Sequence, residues 1–211
     1  LDLNTLITHY IFVKLSEQNG SDRRNPGIRA FFAKNKELLN RDTLFTSELE
    51  KILTNFDIFS KSMLGQVISR LNGNLKPFVS SYLFYRDDIS YLEELLKLGL
   101  LIELSELSYS HRLFKGFLEE INLKYSQVTT ISSQDLINNI KDHIANHFDY
   151  NSIRQTLSES GVPNSILYVN EYLYALEQGK EYNLEGGIDI EHIMPQTLSG
   201  KWKEELGADW E

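Results

Sequence analysis

Cysteine is absent from the 211 residues. That removes disulfide scaffolds, thiolate zinc sites and cysteine nucleophiles together, and it accords with a reducing compartment. Any metal must then be held by nitrogen or oxygen. No apolar run reaches the ~18 residues of a membrane span, and the opening Leu1-Asp-Leu-Asn4 lacks the basic-then-apolar layout of a secretory signal. The expectation is a cytoplasmic protein with no membrane partner. Positive charge is in deficit: 21 Lys and Arg stand against 30 Asp and Glu, a net −9. A surface that binds nucleic acid or anionic lipid all over is excluded, and only a local basic patch remains open. Apolar material is plentiful, with 41% hydrophobic and 11% aromatic residues, so a buried core forms and general disorder is excluded. The chain begins on Leu and stops at Asp209-Trp-Glu211, which reads as an excised piece of a longer protein.

Only Pro26, Pro77, Pro163 and Pro195 interrupt the sequence. Between them apolar residues recur three and four apart, the helical period. Leu3, Leu6, Ile7, Tyr10, Ile11 and Leu15 trace a first helix ending before Gly20, and Ile28, Phe31, Phe32 and Leu38 or Leu39 a second. Phe45 to Leu71 holds one long helix or two shorter ones, closed by the Asn72-Gly-Asn74 turn. Asp87-Asp88 can cap a helix carrying Leu92, Leu95, Leu96 and Leu100. Further helices are expected at His111 to Lys124, Ser133 to His147, Ser152 to Ser158 and Asn164 to Gln178, the second of these opened by a capping-box-like Ser132-x-x-Asp135. The fold class is mainly α, a multi-helix domain over 1–180, followed over 181–211 by a short, truncated β-hairpin or ββα-metal-like segment.

That tail changes character. Gly186-Gly187 breaks the helical pattern, Ile188-Asp-Ile-Glu191 alternates apolar and acidic residues as a strand does, and Trp202, Leu206 and Trp210 suggest a closing amphipathic segment. A histidine directly after an acidic residue at a strand end, three residues before a proline, is the leading half of a ββα-metal (HNH or His-Me finger) nuclease motif. There a neutral imidazole takes a proton from the attacking water, and one divalent ion holds the scissile phosphate and leaving oxygen. His192 is the candidate base, and Glu191 or Asp189 the candidate metal ligand. An ideal pleat groups Asp189 with Glu191 and turns His192 to the other face, so a twist or bulge must bring Glu191 and His192 together. Glu-His-x-x-Pro alone is a short pattern that a backbone-bonded histidine before a proline turn also satisfies.

The wider string says more. Ile190-Glu-His-Ile-Met-Pro-Gln-Thr-Leu-Ser199, then Trp202-Lys-Glu-Glu-Leu-Gly207 and Asp209-Trp-Glu211, resembles the nuclease domain of the GmrSD-type, modification-dependent (type IV) restriction endonucleases. Ile166-Leu-Tyr-Val-Asn-Glu-Tyr-Leu-Tyr-Ala175 is similar to the helix that leads into it. The resemblance is close over about residues 164 to 211 and general before that. It implies His192 as the catalytic histidine, a divalent ion such as Mg, modified foreign DNA as substrate, and a partner domain that hydrolyses nucleoside triphosphates. Two departures accompany it: the Gly-Asn-Leu-Thr-Leu-like run that completes the family's metal site does not follow, and the Asp-Gly-Gln-Gln-Arg signature of the nucleotide-hydrolysing domain is absent. The chain is therefore expected to hold the helical region and the first half of an HNH-like site, without activity of its own.

Residues 21 to 41 contain Arg23, Arg24, Arg29, Lys34, Lys36 and Arg41 against only Asp22 and Glu37. Such a patch can hold DNA phosphates, led by Arg23, Arg24 and Arg29, or be a solvated helix flank. His143 and His147, four apart on a helix, have a zinc-compatible spacing but lack the intervening glutamate of zinc proteases, and read better as a solvated polar helix end. His9 and His111 read as structural, and Tyr168, Tyr172 and Tyr174 with Leu167, Leu173 and Leu176 as a packed face. The rival reading is an all-helical protein-interaction module in which Glu191-His-Ile-Met-Pro195 is only a turn.

Overall fold

The computed structural model describes residues 1–17, 24–40, 42–105, 109–122, 132–160 and 164–184. Among them every regular element is a helix: α1 (Leu3–Glu17), α2 (Ile28–Lys34), α3 (Lys36–Leu39), α4 (Asp42–Lys61), α5 (Met63–Ile68), α6 (Leu75–Tyr85), α7 (Ser90–Leu104), α8 (His111–Asn122), α9 (Ser133–His147), α10 (Tyr150–Ser160) and α11 (Asn164–Gln178). The mainly α class is correct. The expected strand at 188–191 and the rest of the tail lie outside the described residues.

Local chemistry accounts for the breaks. The long apolar period from Phe45 to Leu71 is cut at Ser62, which turns extended (φ −69°, ψ 154°) and caps α5 by accepting from the Gly65 amide. The crossing of α4 and α5 is so close that a Cβ on Gly65 would sit 1.9 Å from the Phe59 carbonyl oxygen, so only glycine fits there. Asn35 (φ −121°, ψ 50°) separates α2 from α3, its side-chain amide donating to the Phe31 carbonyl at 2.8 Å. Asp88 takes up the Ser90 amide at the start of α7 at 2.9 Å. The Ser132–Asp135 capping box forms as the sequence indicates.

Among the described residues two apolar clusters make the core. The smaller gathers Tyr10, Ile11, Val13, Leu15, Phe31 and Ile52 from α1, α2 and α4. Tyr10 meets the Phe45 ring edge-to-face at 4.9 Å, a geometry that adds to simple burial. The larger runs from Phe12 and Phe59 through α5–α9 to α11, with Phe78, Tyr82, Tyr91, Leu92 and Leu95 at its centre. The two clusters share α1, and Tyr85 packs against both, so the helical body is continuous. The second half of α1 is enclosed: His9 to Ser16 are all buried. Its Lys14 ammonium is matched by Glu48 on α4 at 2.5 Å and Glu17 at 3.1 Å, as a charge taken out of water requires.

Helix α8 is held differently. Phe114, Phe117, Leu118 and Ile121 form its buried stripe. At its end the Asn122 amide donates to the Phe12 carbonyl of α1 (2.7 Å), and its Oδ1 accepts from Ser81 of α6 (2.5 Å). At its start the Asn72 amide donates to His111 Nδ1 at 2.7 Å. Fixed at both ends, α8 turns its other face to solvent. No helix among the described residues is long and apolar enough to cross a membrane.

Candidate functional site

His192, Glu191 and Asp189 lie outside the described residues, as does Arg23. What the structure does describe is the run-up to them. In α11 the buried side is Val169, Tyr172 and Ala175, set against α5 and α7. Leu173, Tyr174 and Leu176 are about half exposed, which corrects the expectation of one packed tyrosine–leucine face: at 3.6 residues per turn Leu173 and Tyr174 turn away from the Val169–Tyr172–Ala175 side, and Leu176, one turn after Tyr172, is covered only in part. Beyond the helix the chain returns to the core at Leu184, which is buried. The Gln66 side-chain oxygen accepts from the Leu184 amide at 2.5 Å, and the Arg70 guanidinium donates to its carbonyl at 3.1 Å while lying 4.1 Å from the centre of the Tyr168 ring. Leu184 is thus tied to the body through both its backbone groups, and the Arg70 that holds it rests on the Tyr168 ring.

Of the basic stretch, Arg24 and Arg29 are described and exposed. Their placements differ. Arg24 opens onto a recess of about 330 Å³ that it shares with Arg112, Lys115, Gly116 and Glu119 of α8, while Arg29 lines none of the recesses beside α8. Among the described residues that line that recess, Glu119 is the one acid. It is buried, its Oε1 lies 4.0 Å from the Lys115 ammonium, and burial raises its pKa against the opposing pull of Lys115 and Arg24. Sequence reasoning missed Arg112 and Lys115. Their signal was an i, i+3 pair of cations opposite the Phe114–Phe117–Leu118–Ile121 stripe.

The histidines of α9 border a second recess, of about 590 Å³, between α8 and α9, lined by Arg112, Gly116, Phe117, Glu120, His143 and His147 among others. His143 is not a simple solvated helix end. It is half-buried, 4.2 Å from the Phe117 ring and bonded through Nε2 to the Tyr109 hydroxyl at 2.5 Å. Burial, and then neighbouring His147, lowers its pKa to about 4, so it is neutral at pH 7. Among the described residues no group of three or more His, Asp or Glu is arranged to hold a metal. His9 is structural as expected: it is buried, pairs with Ser80 Oγ at 2.6 Å, and burial lowers its pKa to about 4. His111 is exposed and serves as the acceptor for Asn72.

No family model, curated protein or solved structure matches the chain. The reading of function therefore stands on its residues and their placement.

Proposed function

We propose that the chain is the helical body and first half of the nuclease site of a DNA-cleaving defence protein of the GmrSD type, acting in the cytoplasm on modified foreign DNA. One observation carries this: the string Ile190-Glu-His-Ile-Met-Pro-Gln-Thr-Leu-Ser199 with Trp202-Lys-Glu-Glu-Leu-Gly207 and Asp209-Trp-Glu211. The tie of Leu184 to Gln66 and Arg70 supports it, because a catalytic constellation needs a rigid base from which to be positioned. In this reading His192 is the general base, and Glu191 or Asp189 would hold a divalent ion such as Mg, which would supply charge stabilisation at the phosphate. The chain alone is inert, and a nucleotide-hydrolysing domain belongs to the longer parent.

The test uses purified parent protein on modified and unmodified DNA. His192→Ala should abolish metal-dependent cleavage while leaving the thermal melt unchanged. Of Glu191→Ala and Asp189→Ala, the variant that regains activity at raised metal concentration marks the ligand. Cleavage by His192→Ala at the wild-type rate removes the nuclease reading. The second reading, a protein-interaction module, would then be the better one. It is favoured by the half-exposed Leu173, Tyr174 and Leu176 of α11, apolar residues that the fold leaves partly in water.

A further inference from the structure

The outer face of α8 is more basic than the chain as a whole. Arg24, Arg112 and Lys115 meet around one recess with the single buried carboxylate of Glu119, in a protein of net charge −9. Arg112 and Gly116 belong also to the neighbouring histidine recess, so the two hollows form one groove across the helix. Gly116 is its bare floor. A Cβ built on Gly116 meets nothing within 4 Å, so no packing in the fold accounts for a glycine in mid-helix, where it is less favourable than alanine. A side-chain-free floor between cations lets a ligand approach the backbone.

We propose that the Arg24–Arg112–Lys115 groove over Gly116 binds the phosphate backbone of duplex DNA. The proposal rests on the nuclease reading for taking the polyanion to be DNA. The shape of the groove favours an extended polyanion over a free phosphate or mononucleotide. Arg24, Arg112, Lys115, Gly116, Glu120 and His147 are all exposed, whereas small-ligand sites bury most of their ligand. Backbone binding draws its free energy from counterion release and needs no enclosure. Contacts to phosphate position DNA without selecting sequence.

The experiment is fluorescence anisotropy of a labelled 20-base-pair duplex with the 211-residue chain, titrated in salt. Three phosphate contacts give a slope of log affinity on log salt of about −2.7, a loss of roughly 40-fold between 50 and 200 mM. The double reversal Arg112→Glu/Lys115→Glu should weaken binding at least tenfold and flatten the slope by about 2. Gly116→Glu, whose side chain enters open space, should weaken binding with a melt no lower than that of the wild type. Arg29→Glu, outside the groove, should bind as wild type. No binding at 50 mM salt, or affinity and slope unmoved by the double reversal, overturns the groove. So does inorganic phosphate that displaces the duplex beyond the effect of its ionic strength, which would make the recess a small-anion site. Neither of those results touches the nuclease reading, which the His192→Ala cleavage assay judges separately.

Discussion

Helices α1 and α8 both anchor the core, but one is enclosed and the other is half in water. From His9 to Ser16 every residue of α1 is buried, and its polar groups are used up inside the protein, His9 on Ser80 and Lys14 on Glu48. In α8 the buried Phe114, Phe117, Leu118 and Ile121 are balanced by exposed Arg112, Lys115, Gly116 and Glu120. The helix is gripped at its ends by Asn72, Ser81 and the Phe12 carbonyl. A helical stretch closed on all sides, as His9 to Ser16 is, can serve only the fold. One that is fixed at its ends and along one stripe presents the other stripe rigidly, which is what a binding surface needs.

The largest expected effects test the shared half of that comparison. Ile11 on α1 and Phe114 on α8 are both fully buried. Truncation should be costly in either place: Ile11→Ala by ~2–5 kcal/mol and Phe114→Ala by ~3–5 kcal/mol in urea unfolding. Arg112→Ala, on the open face, should stay within ~0.5 kcal/mol of wild type. An Arg112→Ala loss as large as that of Phe114→Ala would mean that the outer face of α8 is part of the packing, and the contrast would collapse.

Acid should then separate the two histidine environments. Burial holds His9 at a pKa of about 4 against an ordinary 6.5, so below pH 6.5 the unfolded chain takes up a proton that the folded one refuses. Stability from this residue is complete above about pH 6.5, falls as pH drops toward 4, and falls no further below that. The full loss is ~3 kcal/mol. His143 has the same sign and a pKa of about 4, but it is only half-buried, and its contribution is correspondingly smaller. Urea midpoints at pH 7.5, 5.5 and 4.5 measure this. His9→Asn should be less stable than wild type at pH 7.5 and show a clearly shallower decline with acid, whereas His143→Asn should leave most of the decline in place. Equal slopes for wild type and His9→Asn would place the acid sensitivity elsewhere.

The same contrast explains what the sequence could and could not reveal. Helix α11 is bounded by Asn164 and Gln178 in both the sequence reading and the structure, and the α9 start follows from Ser132 and Asp135, because caps and periods are local chemistry. The enclosure of α1 was not legible, since a helix buried all round carries no face-to-face alternation beyond its general hydrophobicity. In α11 the packed side was misassigned for a related reason: Leu173, Tyr174 and Leu176 are as apolar as Val169 and Tyr172, and composition does not say which stripe the body covers. The groove was out of reach because Arg24 and α8 are distant in sequence, and their meeting depends on how α1, α6 and α8 pack. For the nuclease motif the position was reversed. His192 and its neighbours were legible as a string, whose meaning rests on spacing and resemblance.

The smallest effect is the most pointed, because it asks whether α8 gives up stability on its open face. A glycine inside a helix costs roughly 1 kcal/mol relative to alanine through the backbone entropy it loses on folding. At Gly65 that cost is imposed by the Phe59 carbonyl oxygen, 1.9 Å from where a Cβ would sit. At Gly116 nothing imposes it, since a Cβ there meets no atom within 4 Å. Gly116→Ala should therefore stabilise the chain by up to ~1 kcal/mol, a rise in Tm of roughly 2–4 °C for a domain of this size. The added methyl would also stand on the floor of the groove and hold a phosphate away from the helix backbone, so duplex affinity should fall a few-fold while the melt improves. A lower Tm would show that the outer face of α8 is already covered in the folded protein, and that its likeness to α1 is greater than its exposed charges suggest.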